Sequence, residues 1–139
     1  MGDERKTGLL VNVDVDDLEK GVAFYTQAFE LRVGRRFGRD AIELLGAAAP
    51  IYLLVKPKGT SPHLGAETRR DYRRHWTPVH LDFAVTDLDA ALTRVRAAGA
   101  RGEGEVQVAR WGKMVHLSDP FGHGFCLLQF EGRGYDELL

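Results

Sequence analysis

The sequence predicts an α+β fold, one domain made of two tandem β-α-β-β-β modules. Three observations lead there. The stretch Val79-His80-Leu81-Asp82-Phe83-Ala84-Val85, followed by Thr86-Asp87-Leu88, reads as a strand running straight into a helix. The same design stands earlier as Leu9-Leu10-Val11-Asn12-Val13-Asp14-Val15, followed by Asp16-Asp17-Leu18, at a constant offset of 70 residues. Repetition at about half the length of a 139-residue chain is the mark of a duplicated unit. In each copy the helical pattern is followed by three short strand-like runs separated by turn residues.

The elements follow in order. Residues 1–7 are polar and read as a frayed end. From Leu9 to Val15 the residues alternate: Leu9, Val11, Val13 and Val15 face the coming helix, and Leu10, Asn12 and Asp14 face the other way. Asp16 is a good N-cap, with Glu19 completing a capping-box-like pair. Leu18, Val22, Tyr25 and Phe29 form one apolar stripe on a helix that should end near Leu31. Arg32 to Arg39 reads as an arginine-rich strand closing in a Gly38-Arg39-Asp40 turn. Ala41–Leu45 and Ile51–Val55 are two more strands, joined by the Gly46–Pro50 turn.

From Lys56 to Pro78 the pattern stops, and the stretch reads as a connector with room for one short helix around Glu67 to His75. Its arginines, Arg69, Arg70, Arg73 and Arg74, read as a solvated face. The second copy then repeats the order. Thr86 is its N-cap, with Asp89 three residues on, and Leu88, Leu92 and Val95 form the stripe before a Gly99 stop. Glu105–Ala109, Lys113–Ser118 and Phe125–Phe130 are its strands, with an Asp119-Pro120-Phe121-Gly122 turn before the last. The resulting boundaries are a domain over 8–131 (module one 8–56, connector 57–77, module two 78–131) and a tail over 132–139. The tail is polar except for its two final leucines, which could dock on the body or on a second subunit.

Composition narrows the setting. The single cysteine, Cys126, excludes an internal disulfide and fits a reducing compartment. A formal net charge of −1 speaks against nucleic acid or an anionic membrane as partner. No apolar run approaches the ~18 residues of a membrane span, and the N-terminus lacks a signal-peptide core. A cytoplasmic domain is expected.

Three stretches carry a resemblance: Val15-Asp16-Asp17-Leu18 with Ala23-Phe24-Tyr25-Thr26, then Val85-Thr86-Asp87-Leu88, then Ser118-Asp119-Pro120-Phe121-Gly122-His123. Over about residues 8–131 the chain resembles the vicinal oxygen chelate superfamily, which includes glyoxalase I, bleomycin-resistance proteins and extradiol dioxygenases. The resemblance implies the glyoxalase/bleomycin-resistance/dihydroxybiphenyl dioxygenase fold, in which paired modules form a cup-shaped sheet cavity. Members include metal-dependent lyases, isomerases and dioxygenases, and also metal-free binders, so the fold leaves the reaction open. Homodimers are common, with cups built across two chains. In metal-dependent members each module offers one ligand from its first strand and one from its last. Those positions align with Leu10 and Tyr52 in module one and with His80 and Cys126 in module two. Leucine cannot ligate and tyrosine rarely does, so the usual glyoxalase quartet is expected to be absent and no cofactor is expected.

With His80 pointing inward, Asp82 and Ala84 follow it, while Leu81, Phe83 and Val85 pack on the helix. The matching inward set in module one is Leu10, Asn12 and Asp14, with Tyr52 and Leu54 completing the wall. Similarity to the family adds Met114 and His116, beside Cys126 and Leu128. This is a mixed cavity of the kind that holds small molecules. Trp111, with Arg110 beside it, and Trp76 stand at the rim, where rings suit planar ligands and an arginine suits an acidic group. His63, His75 and His123 lie on turns and are expected to face solvent.

The leading expectation is a small-molecule-binding protein of the bleomycin-resistance-like kind, with a partly apolar, in part anionic ligand. The alternative is an enzyme. One version is metal-free, with His80 as acid/base beside Asp82 or Asp14 and His116 as a second catalytic candidate. The other holds a divalent metal (zinc, nickel, manganese or iron) on His80, His116 and Cys126, which neighbouring strands would set in a row ~4.8 Å apart. A purely structural dimer module is the third class, and the polar groups aimed at the cavity count against it.

Overall fold

The computed structural model describes residues 6–139, so residues 1–5 of the expected polar end lie outside the described residues. Module one runs β1 (Val11–Val15), α1 (Leu18–Phe29), β2 (Arg32–Phe37), β3 (Ala41–Leu45) and β4 (Ile51–Val55). Module two runs β5 (Leu81–Ala84), α2 (Leu88–Ala98), β6 (Arg101–Gly102), β7 (Gln107–Ala109), β8 (Gly112–Ser118) and β9 (Gly124–Phe130). The order is the expected α+β duplication, with one additional short strand in the second copy. The run expected over Glu105–Ala109 is shortened to β7, and an additional short strand, β6, precedes it, the two separated by residues 103–106 with Gly104 at φ 157°. Both pair with β8.

Both helices start one residue later than the capping pattern suggested. The caps are Asp17 and Asp87, whose carboxylates accept from the amides of Lys20 and Ala90. Two adjacent polar residues, Asp16-Asp17 and Thr86-Asp87, compete in each copy, and the aspartate in extended backbone directly before the helix wins both times. Helix α1 stops at Phe29 because Glu30 turns into the left-handed region (φ 55°), ahead of the expected Leu31. Helix α2 ends as expected on Gly99.

Each module forms its own sheet, ordered β1-β4-β3-β2 and β5-β9-β8-β6. In both, the first strand lies parallel to the last, pairing Asn12 with Tyr52 and Asp82 with Cys126. Strands β1 and β5 are therefore edge strands. The helix-facing sides of both sheets merge into one core that includes Phe24, Ile42, Leu44, Leu53, Val95, Leu117 and Leu127, with α1 packed against α2. Phe29 stacks on Phe83 at 3.8 Å across the module boundary. Burying a side chain of this size contributes ~1.5–3 kcal/mol each, so the shared core dominates stability.

Polar latches reinforce the junction. Asp119, 3% exposed, accepts the amides of Phe121 and His123 on one oxygen and the Tyr25 hydroxyl of α1 on the other. Burial first, and then the Asp119 carboxylate, push the Tyr25 hydroxyl well above its ordinary value of 10. His123 donates from Nε2 to the Asp14 carbonyl at 2.7 Å and is half-buried, so it does not face solvent as its turn position suggested. Arg94 of α2 donates to the Ala28 carbonyl at the end of α1 (3.0 Å).

The connector holds no helix at Glu67–His75. It is an extended strap, and two of its arginines are not solvated. Arg70 donates to Asp14 Oδ2 at 2.8 Å and to the Ser61 carbonyl at 2.7 Å, and Arg74 binds Glu103 with two nitrogens. These partners lie 56 and 29 residues away in sequence, so a reading of local charge runs could not see them. The tail docks on module two, where Tyr135 in a 3-10 turn (Gly134–Leu138) packs against Phe130 and Trp111.

Candidate functional site

Because one side of each sheet is committed to the core, the polar positions of β1, β4, β5, β8 and β9 lie on the outer sides. On sheet one, the register sets Asn12, Tyr52 and Glu43 side by side. Glu43 is only 6% exposed, and its neighbours explain why a buried acid is tolerated. Arg35 donates its backbone amide (3.1 Å), Nε (3.1 Å) and Nη2 (2.6 Å) to the Glu43 carboxylate, and the Tyr52 hydroxyl donates at 2.8 Å. These bonds, those from Arg35 first, hold the Glu43 carboxyl at about 2. A Cβ at Gly34 would sit 2.5 Å from Glu43 Oε1, so glycine keeps room for the acid. Glu43 was not read as a site residue from the sequence. Its signal was an acid inside the apolar strand Ala41-Ile42-Glu43-Leu44-Leu45.

The other residues expected on this face are scattered. Asn12 is exposed and Leu54 half-buried, whereas Asp14 is taken by Arg70. Leu10 precedes β1 and is 60% exposed.

Sheet two brings more together. The register places Asp82, Cys126 and His116 in one row across β5, β9 and β8. His80 lies just before β5, so Asp82, and not His80, stands opposite Cys126. Ligand atoms of His80, Asp82 and Cys126 all fall within 4.8 Å of one another, and His80 Nε2 is 3.2 Å from Asp82 Oδ1. Asp82 thus takes the place expected for His116 in this group. Cys126 is fully buried. Burial, and then the Asp82 carboxylate beside it, push its thiol up to about 12, so it is a poor nucleophile at neutral pH.

The ring of Trp76 lies 4.7 Å from that of His80 and 5.4 Å from that of His116. Met114 is half-buried and Leu128 is 5% exposed on the same outer side. Trp111 packs on Phe130 and Tyr135, at the far end of β9 from Gly124. The two tryptophans therefore lie toward opposite ends of β9. Among the described residues, a groove of about 590 Å³ runs between edge strands β1 and β5 over Phe29, Leu31 and Phe83; Asp82 lines it, whereas Tyr52, His80, His116 and Cys126 do not.

The usual metal quartet can now be tested against the residues present. Leu10 offers no donor. The Tyr52 hydroxyl is engaged with Glu43 and accepts from Arg35 Nη2 at 3.1 Å. Module one therefore has no ligand to contribute, and the quartet does not fit.

Comparison with known proteins bears on the whole chain. Residues 10–128 match the model of the glyoxalase-like domain. The chain belongs to the glyoxalase-like domain family. An uncharacterized protein of Mycobacterium bovis is 31% identical over 119 residues, spanning 83% of this chain and 78% of that protein. Among solved structures, the fosfomycin resistance protein FosX from Listeria monocytogenes superposes with a TM-score of 0.71 at 19% identity, covering 97% of this chain and 100% of that one. A glyoxalase-related enzyme from Fulvimarina pelagi superposes at 0.70 with 16% identity, covering 90% and 88%. The lactoylglutathione lyase of Agrobacterium tumefaciens does so at 0.61 with 17% identity, covering 91% and 96%. At these identities the structures speak for the fold, which is the glyoxalase/bleomycin-resistance/dioxygenase fold of the vicinal oxygen chelate superfamily. Among the described residues, no helix of this glyoxalase-like chain is long and apolar enough to cross a membrane.

Proposed function

We propose that the chain is a small-molecule-binding protein of the bleomycin-resistance-like kind, acting without the usual metal quartet. The observation that carries this reading is the engagement of Tyr52. Its hydroxyl is spent on Glu43 and Arg35, so the sheet-one face is finished as a binding wall and not as a metal half-site. Opposite chemistry stands on sheet two, where His80, Asp82 and His116 adjoin the apolar side chains of Met114, Leu128 and Trp76. Apolar surface with a few convergent polar groups is the usual make-up of a ligand site. The ligand in this reading is partly apolar, and the exposed Arg35 beside Tyr52 suits an acidic group on it.

A homodimer completes the cup in this proposal. A second copy would set the Tyr52 face of one chain opposite the His80 face of the other. A cytoplasmic setting fits the lone buried thiol. A thermal-shift screen on wild type and His80→Ala tests the reading. A ligand at about 100 times its Kd should stabilise wild type by ~2.7 kcal/mol, stabilise His80→Ala less, and be recovered unchanged after hours. Conversion of that ligand, lost in His80→Ala, would replace binding by catalysis with His80 as the acid/base and Asp82 orienting it.

A second reading, of a lyase, isomerase or dioxygenase, is favoured by the His80–Asp82–Cys126 group. Imidazole, carboxylate and thiol together suit zinc, and nickel, manganese or iron are accommodated by the same donors. The metal would polarise a bound oxygen, while Cys126 gives up its proton on ligation. Elemental analysis decides this: near-stoichiometric metal, removed by Asp82→Asn, would displace the metal-free reading.

A further inference from the structure

The segment from Arg70 to Thr77 lacks helix and strand, yet it is tied down at every second residue. Arg70, with its side chain 14% exposed, is fixed to Asp14, Thr60 and the Ser61 carbonyl at its start. Tyr72 donates to the Lys56 carbonyl at 2.5 Å and meets His123 edge-on. Arg74 grips Glu103 with Nε and Nη2 and places its guanidinium 5.3 Å from the Trp76 ring centroid.

Trp76 is the end of this run, and its position has a structural cause. Its ring reaches from His80, beside β5, to His116 on β8, and so lies across the intervening strand β9. It does so above Gly124, where a Cβ would come within 2.8 Å of Trp76 Cζ3 and would also strike the Arg74 guanidinium. The outer side of β9 next carries Cys126, two residues on, which is fully buried although it faces away from the core. The anchors differ in strength along the strap. Arg70, 14% exposed, is held by three partners, Asp14, Thr60 and Ser61, whereas Arg74, 26% exposed, is held across the chain by the Glu103 carboxylate alone and is the releasable one.

We propose that residues 70–77 are a gate over the sheet-two site. Trp76 is the leaf that closes on His80, His116 and Cys126, Arg74–Glu103 is the clasp, and Arg70 with Tyr72 forms the fixed hinge. Closed, the leaf seals the thiol while His80 and Asp82 stay accessible; released, it opens Cys126 to a molecule of thiol-reagent size. The inference concerns access to the site, and it holds whether the bound molecule is only held or also transformed.

The lone cysteine makes the gate measurable. Cys126 is labelled with methyl methanethiosulfonate at fixed pH in wild type, Trp76→Ala, Trp76→Phe and Glu103→Gln, with the denaturation midpoint of each taken alongside. Leu44→Ala, in the buried core on β3 of module one, serves as the reference. Labelling should rise at least about tenfold in Trp76→Ala. It should rise about fivefold in Glu103→Gln, the factor such a partly exposed bidentate pair is worth, and stay near wild type in Trp76→Phe. Wild-type rates in both Trp76→Ala and Glu103→Gln would overturn the gate. So would a rise in Leu44→Ala that is equal per degree of lost midpoint, because Cys126 would then be reached through global unfolding.

Discussion

On sheet one the outer row Asn12–Tyr52–Glu43 consumes its own polarity. The acid sits under an arginine and a tyrosine, and the Glu43 carboxylate and Tyr52 hydroxyl are both bonded within the face. On sheet two the corresponding row Asp82–Cys126–His116 remains open-ended. A histidine and an aspartate stand 3.2 Å apart beside a buried thiol, and a tryptophan from outside the module covers the gap. The scaffold beneath is the same in both copies, down to the capping aspartates Asp17 and Asp87. Duplication kept what the core and the helix starts require, and left the two outward faces free to differ.

The comparison can be broken at three levels. If the modules share one core, Leu53→Ala in module one and Leu127→Ala in module two should each cost ~3 kcal/mol and leave a single denaturation transition. Two separated transitions in either variant would show that the halves are independent. A smaller effect is expected at the junction. Tyr25→Phe leaves the buried Asp119 one donor short and should cost ~2 kcal/mol in chemical denaturation. It also carries a pH signature. The Tyr25 hydroxyl is raised above 10 in the folded state, so the stability it contributes is fully present below pH 10 and is lost as pH rises through the folded value. Wild type should therefore weaken above that pH more steeply than Tyr25→Phe. The smallest effect tests the equivalence of the copies: Asp17→Ala and Asp87→Ala should each cost ~1 kcal/mol. A cap worth nothing in one module would show that the helix starts are held differently.

Much of the fold was legible because duplication prints the same periodicities twice. Val15 with Leu18 and Val85 with Leu88 fix where each strand passes into each helix, and the buried sides of β1 and β4 follow from alternation. The caps were misplaced by one residue because adjacent side chains of similar capping power differ only in backbone geometry. The break between β6 and β7 at Gly104 follows from glycine conformations that no periodicity encodes. At the site, Asp82 could be named from alternation after His80, and His116 and Cys126 from the family resemblance, but the row of Asp82, Cys126 and His116 depends on the parallel register between β5 and β9. The partners of Arg70, Arg74 and Glu43 were illegible for a different reason. Each is chosen by tertiary proximity across a turn or between modules, and a charged residue in sequence does not say which opposite charge it will meet.

All strand pairing stays inside a module, within residues 11–55 for one sheet and 81–130 for the other, while the contacts that join the modules are made by side chains. During synthesis the ribosome therefore releases a first sheet that can complete its backbone ladder unaided. Its apolar helix side, including Phe29, must wait for α2 and Phe83 to emerge. The nascent half-chain is thus ordered in its hydrogen bonds before it is sheltered from water. That interval, spanning the connector and the first elements of module two, is when this protein is most exposed to wrong partners.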